Sequence, residues 1–400
     1  MTSVHQTVAS LGPATPARLL DGGGTAPTPM PDAADLVAML DAAGLTGRGG
    51  AGFATSRKLS SFLHHPPDHV VVVGNAMEGE PLSRKDQVLL TVAPDLVLDG
   101  LAVLAHALDA RRVVLAVGTQ IPLGPLLRAR TSHAHGRRVE VLPLPDRFVA
   151  GQESALTNAV NGRPAIPGPR HQPVRLAGVD RRPTLVSNAE TLAQITLVVR
   201  HGPAWWRTAG TADDPGTFLV TVSASAPGTV TRPGVLEVPR GIPLVDALLR
   251  AGTAPDRVAA VLVGGYHGAW VPRSRLDVPL AGPELRALGA SPGAGVLHVL
   301  DRADCPLRVA AAITDYLAGQ TAGQCGPCVN GLPALADAMH RLADPGSLGA
   351  SPSRVDALCG LVDRRGACAH PDGSARLVRS TLEVFGDHVV AHLEGRCSRG

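Results

Sequence analysis

Lysine is almost absent from this 400-residue chain, where only Lys58 and Lys85 stand against 35 arginines. Asparagine is scarce too, with five in all. In a sequence that prefers Arg so strongly, the surviving Lys and Asn positions are candidates for a specific chemical need. Aromatic side chains number ten, and the basic residues come as scattered pairs such as Arg111-Arg112 and Arg364-Arg365. Nucleic-acid binding calls for a concentrated basic face with stacking aromatics, so that class is set aside. No run approaches ~18 apolar residues without a breaker, so no membrane span is expected. Residues 1–30 lack a charged n-region and an apolar h-region, and read as a flexible arm rather than a signal peptide. Cysteine does not occur before position 305, and then six crowd into the last quarter, at 305, 325, 328, 359, 368 and 397. Without an export signal this crowding argues against a disulfide framework and for a metal site, and the expected compartment is the cytoplasm.

What is present describes a globular chain. Hydrophobic residues make up 44% and charged residues 18%, with 37 basic against 34 acidic side chains. At ~100–200 residues per domain the length allows two to four domains. Residues 31–43 have helical spacing, with Gly44 as a stop. Strands are expected at 70–73, 113–117 and 139–142, alternating with helices at 96–108 and 189–199. That alternation implies parallel βαβ units and an α/β domain over 31–208. From Gly216 the pattern becomes a compact β-α-β stretch, and residues 209–300 are expected to form a small β-grasp domain. Helical spacing at 306–317, 332–342, 354–362 and 375–393 predicts a four-helix bundle over 301–400.

Several motifs carry chemistry. Gly47-Arg48-Gly49-Gly50-Ala51-Gly52 lets backbone N–H groups approach a phosphate or a flat ring, although a Gly-rich surface turn would read the same way. Phe53 follows directly, and Lys58 can supply a point charge to a phosphate. Asn75 through Pro81 follow an apolar strand, where ligands of open α/β sheets sit, and Glu78 and Glu80 can bond ribose hydroxyls or a ring edge. Gly151-Gln152-Glu153-Ser154 and Pro183 through Thr191 each open a helix, as phosphate-facing termini or plain N-caps. Cys325-Gly-Pro-Cys328 followed by Cys368 is the strongest metal signal, because thiolates two residues apart converge on one ion or cluster. Cys359 shares a helical face with Val355, Leu358 and Val362 and reads as a small buried hydrophobe. Most of the fifteen histidines read as surface residues.

Taken in order, these segments resemble the NADH-binding flavoprotein subunit of respiratory complex I and the related diaphorase subunits of NAD-linked hydrogenases and formate dehydrogenases. The resemblance covers roughly residues 32–395. It implies an FMN held by the α/β domain, NADH stacked on the flavin, and a [4Fe–4S] cluster in the helical region. By the resemblance Gly47, Arg48, Gly49, Gly50, Gly52, Phe53, Lys58, Asn75, Glu78, Glu80, Gly151, Glu153, Asn188 and Thr191 fall at flavin and NADH positions. Hydride transfer from NADH to a flavin needs stacking and position rather than a general base, so no catalytic acid or base is named. The chain departs from the family at Met77, Gln152, Ser187 and Phe148, and has no aromatic residue in 168–175. Ala322 stands where the first cluster cysteine belongs. Cys325, Cys328 and Cys368 then leave three outcomes: a [4Fe–4S] cluster with a non-cysteine fourth ligand, a [3Fe–4S] cluster, or no cluster. His370 is the nearest substitute ligand.

The leading expectation is an FMN-dependent, NADH-oxidising electron-transfer protein that passes electrons to a ferredoxin or a thioredoxin-like 2Fe–2S partner subunit. Two others stand beside it: a flavoprotein reductase fed by ferredoxin or another donor, and a redox-inactive binding module derived from the family.

Overall fold

In a computed structural model the chain is described over residues 18–21, 27–65, 69–168 and 173–397. Most of the expected N-terminal arm, at 1–17 and 22–26, lies outside the described residues. Arg18, Leu19 and Leu20 are buried, and all three backbone N–H groups donate to Oε2 of Glu237, at 2.8, 2.8 and 3.2 Å. The chain divides into two compact units, Met1–Val220 with Gly234–Ile242, and Thr221–Pro233 with Pro243–Gly400.

The first unit is an α/β domain. Its helices are α1 (Ala33–Ala43), α2 (Thr55–Ser60), α3 (Lys85–Val92), α4 (Pro94–Ala107), α5 (Gly124–Ser132), α6 (Glu153–Val160) and α7 (Ala189–Trp206). Strands β1 (Val71–Ala76), β2 (Arg112–Gly118), β3 (Val139–Leu144) and β4 (Thr184–Asn188) form a parallel sheet in the order β3-β2-β1-β4. Apolar runs suit a parallel sheet because both of its faces are covered. Val72, Leu115 and Val117 feed one hydrophobic cluster, whereas Val71, Val73, Val114 and Ala116 feed the other. Period-two alternation therefore splits one continuous apolar run between two cores. Gly44, with φ +66°, closes α1 as expected. Helix α7 runs past the expected end at 199 and kinks at Gly202 before Pro203.

The chain leaves β1 toward β2 on one side of the sheet, while β4 joins β1 on the other. That makes the carboxyl ends of β1 and β4 a topological switch point, where Asn75 and Asn188 stand side by side in register.

Strand β5 (Thr217–Ala224) crosses the boundary between the units, and β6 (Gly234–Pro239) belongs to the first. The second unit adds α8 (Leu244–Arg250), β7 (Val258–Val263), β8 (Ala269–Pro272), α9 (Gly282–Arg286) and β9 (Val296–Asp301). There the end of β5 pairs in parallel with β9, β9 runs antiparallel to β7, and β7 antiparallel to β8. Helices α10 (Pro306–Gly319), α11 (Leu332–Ala343), α12 (Pro352–Val362), α13 (His370–Val384) and α14 (Gly386–Leu393) make the C-terminal region helical. The single helix expected over 375–393 is corrected: it breaks at Phe385, whose φ of −116° and ψ of 31° leave the helical region just before Gly386.

Among the described residues no single helix is long and apolar enough to cross a membrane. Helices α3 and α4 pass that test only as a pair bent by 93°, and most of their apolar residues are buried in the core of the first unit.

Helix α4 approaches α7 at Gly100, where an added Cβ would lie 2.2 Å from the carbonyl oxygen of Leu192. Backbone cannot yield as a side chain does. Gly100→Ala is therefore expected to lower stability by about 1–3 kcal/mol, although alanine is intrinsically the better helix former. Denaturant unfolding measures this; an unchanged or raised midpoint would show that the two helices are free to separate.

Candidate functional site

The glycine loop is a closed turn. Thr46 bridges Ala54, and the N–H of Gly47 donates to the carbonyl of Phe53 at 2.9 Å. Gly50 and Gly52 have φ of +98° and +62°, which L side chains rarely adopt. Space around Gly52 is open, and Phe53 is 57% exposed at the loop end. Arg48 turns the other way. Its guanidinium is buried, donating to Gln194 Oε1 at 2.8 Å, Thr46 Oγ1 at 3.0 Å and the Thr217 carbonyl at 3.2 Å. Burial and the nearby Arg240 lower its pKa to about 10, against the pull of Glu190 and Asp214, so it stays charged at neutral pH. Its backbone N–H donates to Thr191 Oγ1 at 2.8 Å. Arg48 and Thr191 thus hold the loop rather than line it.

Beneath the loop lies a buried charge cluster. Lys85 Nζ donates to Glu190 Oε2 at 2.7 Å, and to the Arg48 carbonyl and Asn188 Oδ1 at 3.2 Å each. Burial opposes its charge, but Glu190, Asp86 and Glu78 together hold its pKa above the ordinary lysine value. Asn188 caps α7 by accepting from the Glu190 N–H at 3.0 Å, and its amide donates to the Asn75 carbonyl at 3.3 Å. Asp86 is buried beside them. Desolvation, with Glu78 and Glu190 adding like-charge repulsion against the pull of Lys85, raises its carboxyl to about 7. Among the described residues its Oδ1 has no hydrogen-bond partner, with Lys85 Nζ 3.7 Å away as an ion pair.

The strand-end loops are held with equal economy. Asn75 Nδ2 donates to the Gly151 carbonyl at 2.8 Å, and its Oδ1 accepts from the Met77 N–H at 3.0 Å. Glu78 accepts from Ser83 Oγ and from the N–H groups of Asp86 and Gln87 at 2.8, 3.0 and 3.2 Å, covering the start of α3. Glu80 accepts from the Leu82 N–H at 3.4 Å. A Cβ on Gly79 would lie 2.7 Å from the Phe148 carbonyl oxygen, and one on Gly151 would lie 3.1 Å from that of Met77. Only glycine lets these two loops touch. At the start of α6, Lys58 Nζ meets Glu153 Oε1 at 3.1 Å and donates to the Val186 carbonyl at 2.7 Å. Gln152 caps that helix, accepting from the N–H groups of Ser154 and Ala155 at 3.0 and 3.1 Å.

The expected residues therefore converge on the ends of β1 and β4. Sequence reasoning did not assign Asp86, Glu190 or Gln194 to the site, although Asp86 and Glu190 lie within or beside its motifs. The signal for Asp86 and Glu190 is the anionic partner that a buried lysine such as Lys85 needs.

In the second unit, Cys325 Sγ lies 3.6 Å from Cys328 Sγ at a wide turn, Pro327–Gly331, that leads into α11. Burial raises the Cys325 thiol, but hydrogen bonds from the Ala367 and Cys328 backbones and from the Cys328 thiol leave it below the usual thiol value. Cys368, next to Ala367, is buried. The three expected cysteines belong to one locality. Cys359 is fully buried with Val355 and Val362 as expected, and burial pushes its thiol up to about 12.

His370, the expected substitute ligand, has partners at its ring. Its Nε2 donates to the Leu317 carbonyl at 2.8 Å and its Nδ1 faces His267 Nε2 at 3.1 Å, so both nitrogens are engaged. Among the described residues His298, His370 and His392 are buried and His65, His133, His267 and His388 partly buried, which corrects the reading of most histidines as surface residues.

Comparison with known proteins agrees with this division. Residues 40–197 match the family described as the Nuo51 FMN-binding domain, and residues 308–392 match the NADH-ubiquinone oxidoreductase-F iron-sulfur binding region. The NADH-quinone oxidoreductase-F protein of Mycobacterium tuberculosis is 31% identical over 90% of this chain and 85% of its own length. A counterpart from Rhizobium meliloti is 29% identical over 90% and 89%. A crystal structure of an NAD+-reducing [NiFe]-hydrogenase in the air-oxidised state superposes with a TM-score of 0.83 and 29% identity, covering 97% of this chain and 68% of that one.

The open glycine turn and the half-exposed Lys58 ammonium fit a polar, phosphate-bearing flavin at the switch point. The cysteine locality fits an iron–sulfur cluster with three thiolates and supplies no fourth at Ala322.

Asp86 yields a pH prediction. An unfolded Asp ionises near pH 3.9, while the folded one holds its proton to about 7. Between those values the folded state binds the extra proton, so stability falls as pH rises through that window. Asp86→Asn removes this slope. The melting-temperature advantage of wild type over the variant should shrink from pH 4 to pH 7; a constant difference would place the Asp86 titration elsewhere.

Proposed function

Because this chain belongs to the family of NADH-binding flavoprotein subunits of NADH-quinone oxidoreductase, we propose that it oxidises NADH on a bound FMN and passes the electrons through an iron–sulfur cluster to a partner subunit. It is an oxidoreductase of the electron-transfer type. One observation carries the reading: the glycine loop, both strand-end loops and the starts of α6 and α7 meet at the one switch point of the parallel sheet.

FMN supplies the two-electron to one-electron conversion when bound. The chain's residues position and shield. Gly49, Gly50 and Gly52 offer backbone N–H groups without Cβ obstruction, Gly47 closes the turn that presents them, and Lys58 supplies a positive charge for a phosphate. Asn75, Glu78, Glu80, Gly151, Glu153 and Asn188 set the edge of the site. Phe53 offers an exposed ring for a flat ligand. Arg48 and Thr191 act by holding the loop in shape. Cys325, Cys328 and Cys368 would hold the cluster.

In finer terms, we read 31–208 as the FMN and NADH domain and 209–300 as a β-grasp domain. We read 301–400 as the cluster-bearing bundle, its fourth member divided at Phe385. A ferredoxin or a thioredoxin-like 2Fe–2S subunit is the partner proposed, in the cytoplasm. Relatives that are themselves named as subunits support the need for a partner. A second reading keeps the flavin and changes the donor. It is favoured by Met77, which packs into the core where the family carries an acid.

Protein purified anaerobically should be yellow and should bleach on addition of NADH, faster than with NADPH or a reduced ferredoxin. A flavin-free preparation from well-supplied cells would sink the flavin reading, whereas faster reduction by ferredoxin selects the second donor. Iron and sulfide should accompany the flavin and fall by more than half in Cys328→Ser. Iron content indifferent to that substitution means these thiols do not hold it.

A further inference from the structure

Three cysteines remain unused by that reading; Cys359 is a packing residue of the helical core, which leaves Cys305 and Cys397. Cys305 and Cys397 both lie outside the stretch 308–392 that matches an iron–sulfur binding region, and neither forms a disulfide. The fold brings them together with a histidine. Sγ of Cys305, Sγ of Cys397 and a ring nitrogen of His392 all lie within 4.8 Å of one another. Cys305 and His392 are 3% and 2% exposed, and Cys397 packs partly buried against the same core cluster.

The local structure that produces this meeting is specific. Cys305 is the residue before the first turn of α10, and the N–H groups of Leu307 and Arg308 point at its sulfur. Burial, with Cys397 alongside, raises the Cys305 thiol, and these two N–H groups work against that rise. His392 lies on the last turn of α14. Its Nδ1 is 3.1 Å from the Leu342 carbonyl, which can only accept, so the proton sits on Nδ1 and the lone pair is on Nε2. Nε2 faces Cys305 Sγ at 3.4 Å. A carbonyl that fixes the tautomer of a ligating imidazole is the usual outer partner of a metal-bound histidine.

The chain then turns back on itself. Gly395 adopts φ +75°, its N–H donates to the His392 carbonyl at 3.0 Å, and the N–H of Arg396 donates to the Ala391 carbonyl at 2.9 Å. This glycine-dependent helix stop reverses the chain, so that Cys397 returns over His392 instead of running on into solvent.

We propose that Cys305, His392 and Cys397 form a zinc site that ties the chain beyond α14 to the start of α10. Zinc is bound by thiolate at about 2.3 Å and by imidazole at about 2.0–2.1 Å, so neighbouring donors of a tetrahedral site lie about 3.5 Å apart. The Cys305–His392 spacing already has that value. Two thiolates and one imidazole suit zinc rather than calcium or magnesium, which take oxygen donors. Three protein ligands leave the fourth position to water. The site is independent of the flavin reading and of the cluster at Cys325, Cys328 and Cys368.

The test uses the full chain, purified anaerobically, stripped with a chelator and titrated with zinc, and with cobalt as the coloured probe. Cys328→Ser is introduced first, so that uptake by the other cysteine locality is suppressed. The expected result is one zinc per chain and a tetrahedral cobalt spectrum with thiolate charge-transfer bands. Adding Cys397→Ser should weaken binding about a hundredfold or more, beyond the 10–100-fold that loss of an outer partner costs. Cys397 is partly exposed and follows the last helix, so this variant should fold, as far-UV circular dichroism will verify. Adding Cys305→Ser should have the same effect on zinc. Uptake unchanged by Cys397→Ser overturns the site. So does a Cys305–Cys397 disulfide found by non-reducing peptide mapping of the anaerobic protein, and so does a loss of iron rather than zinc in Cys397→Ser.

Discussion

An ammonium group in a protein interior is stable only when anions and carbonyl oxygens replace its water, and Lys85 is surrounded in that way. Glu190, Asn188 and the Arg48 carbonyl close around its Nζ. These acceptors come from two separate pieces of chain: the glycine loop and the junction where β4 runs into α7. Glu190 reaches further, accepting the Leu219 N–H at 2.9 Å and the Gln194 amide at 3.0 Å through its other oxygen. Removing one member of such a buried pair costs about 3–5 kcal/mol, because the remaining charge is left without its partner. The ion pair is therefore less a source of stability than a device for register. It fixes which part of the glycine loop lies over the strand ends.

The rest of the site follows from that register. With the Arg48 carbonyl on Lys85 and its N–H on Thr191, the loop has one residue pinned at both backbone groups. Gly49 and Gly50 after it are exposed with no Cβ over their N–H groups, while the Gly47 N–H closes the turn on the Phe53 carbonyl. Gly79 and Gly151 solve the complementary problem, because the loops after β1 and before α6 approach until no side chain fits between them. Rigid backbone at closest approach and exposed donors above it are what a flat, phosphate-bearing ligand requires.

Much of this is legible in the amino-acid sequence, for identifiable reasons. The apolar run at 70–73 and the Gly44 stop obey rules that involve only neighbours in sequence, so both elements fall close to where they are expected. Motif order carries the site to the right loops. What sequence does not show is direction. Arg48 sits among the glycines yet points inward, and Glu78 serves the start of α3 through backbone N–H groups. Nor does spacing show that the helix over 375–393 breaks, since apolar periodicity continues across Phe385. The meeting of Cys305 with Cys397 joins distant parts of the chain, for which no local pattern exists.

The departures from the family motifs become intelligible in the same terms. Met77 occupies the position of an acid, and its side chain packs at 7% exposure with Ala150 and Leu156. Gln152 replaces a glutamate and still caps α6 through its carbonyl oxygen, the one atom the two side chains share for that purpose. Each substitution keeps the local fold while removing a negative charge from the rim of the site. A carboxylate at such a rim can bond a sugar hydroxyl or repel a phosphate, whereas a thioether or an amide changes both terms. Neither change touches the Lys85 cluster or the glycine turn. Under the proposed function, support for the flavin and contact with the electron donor would rest on separable groups of residues, and the two departures fall in the second group.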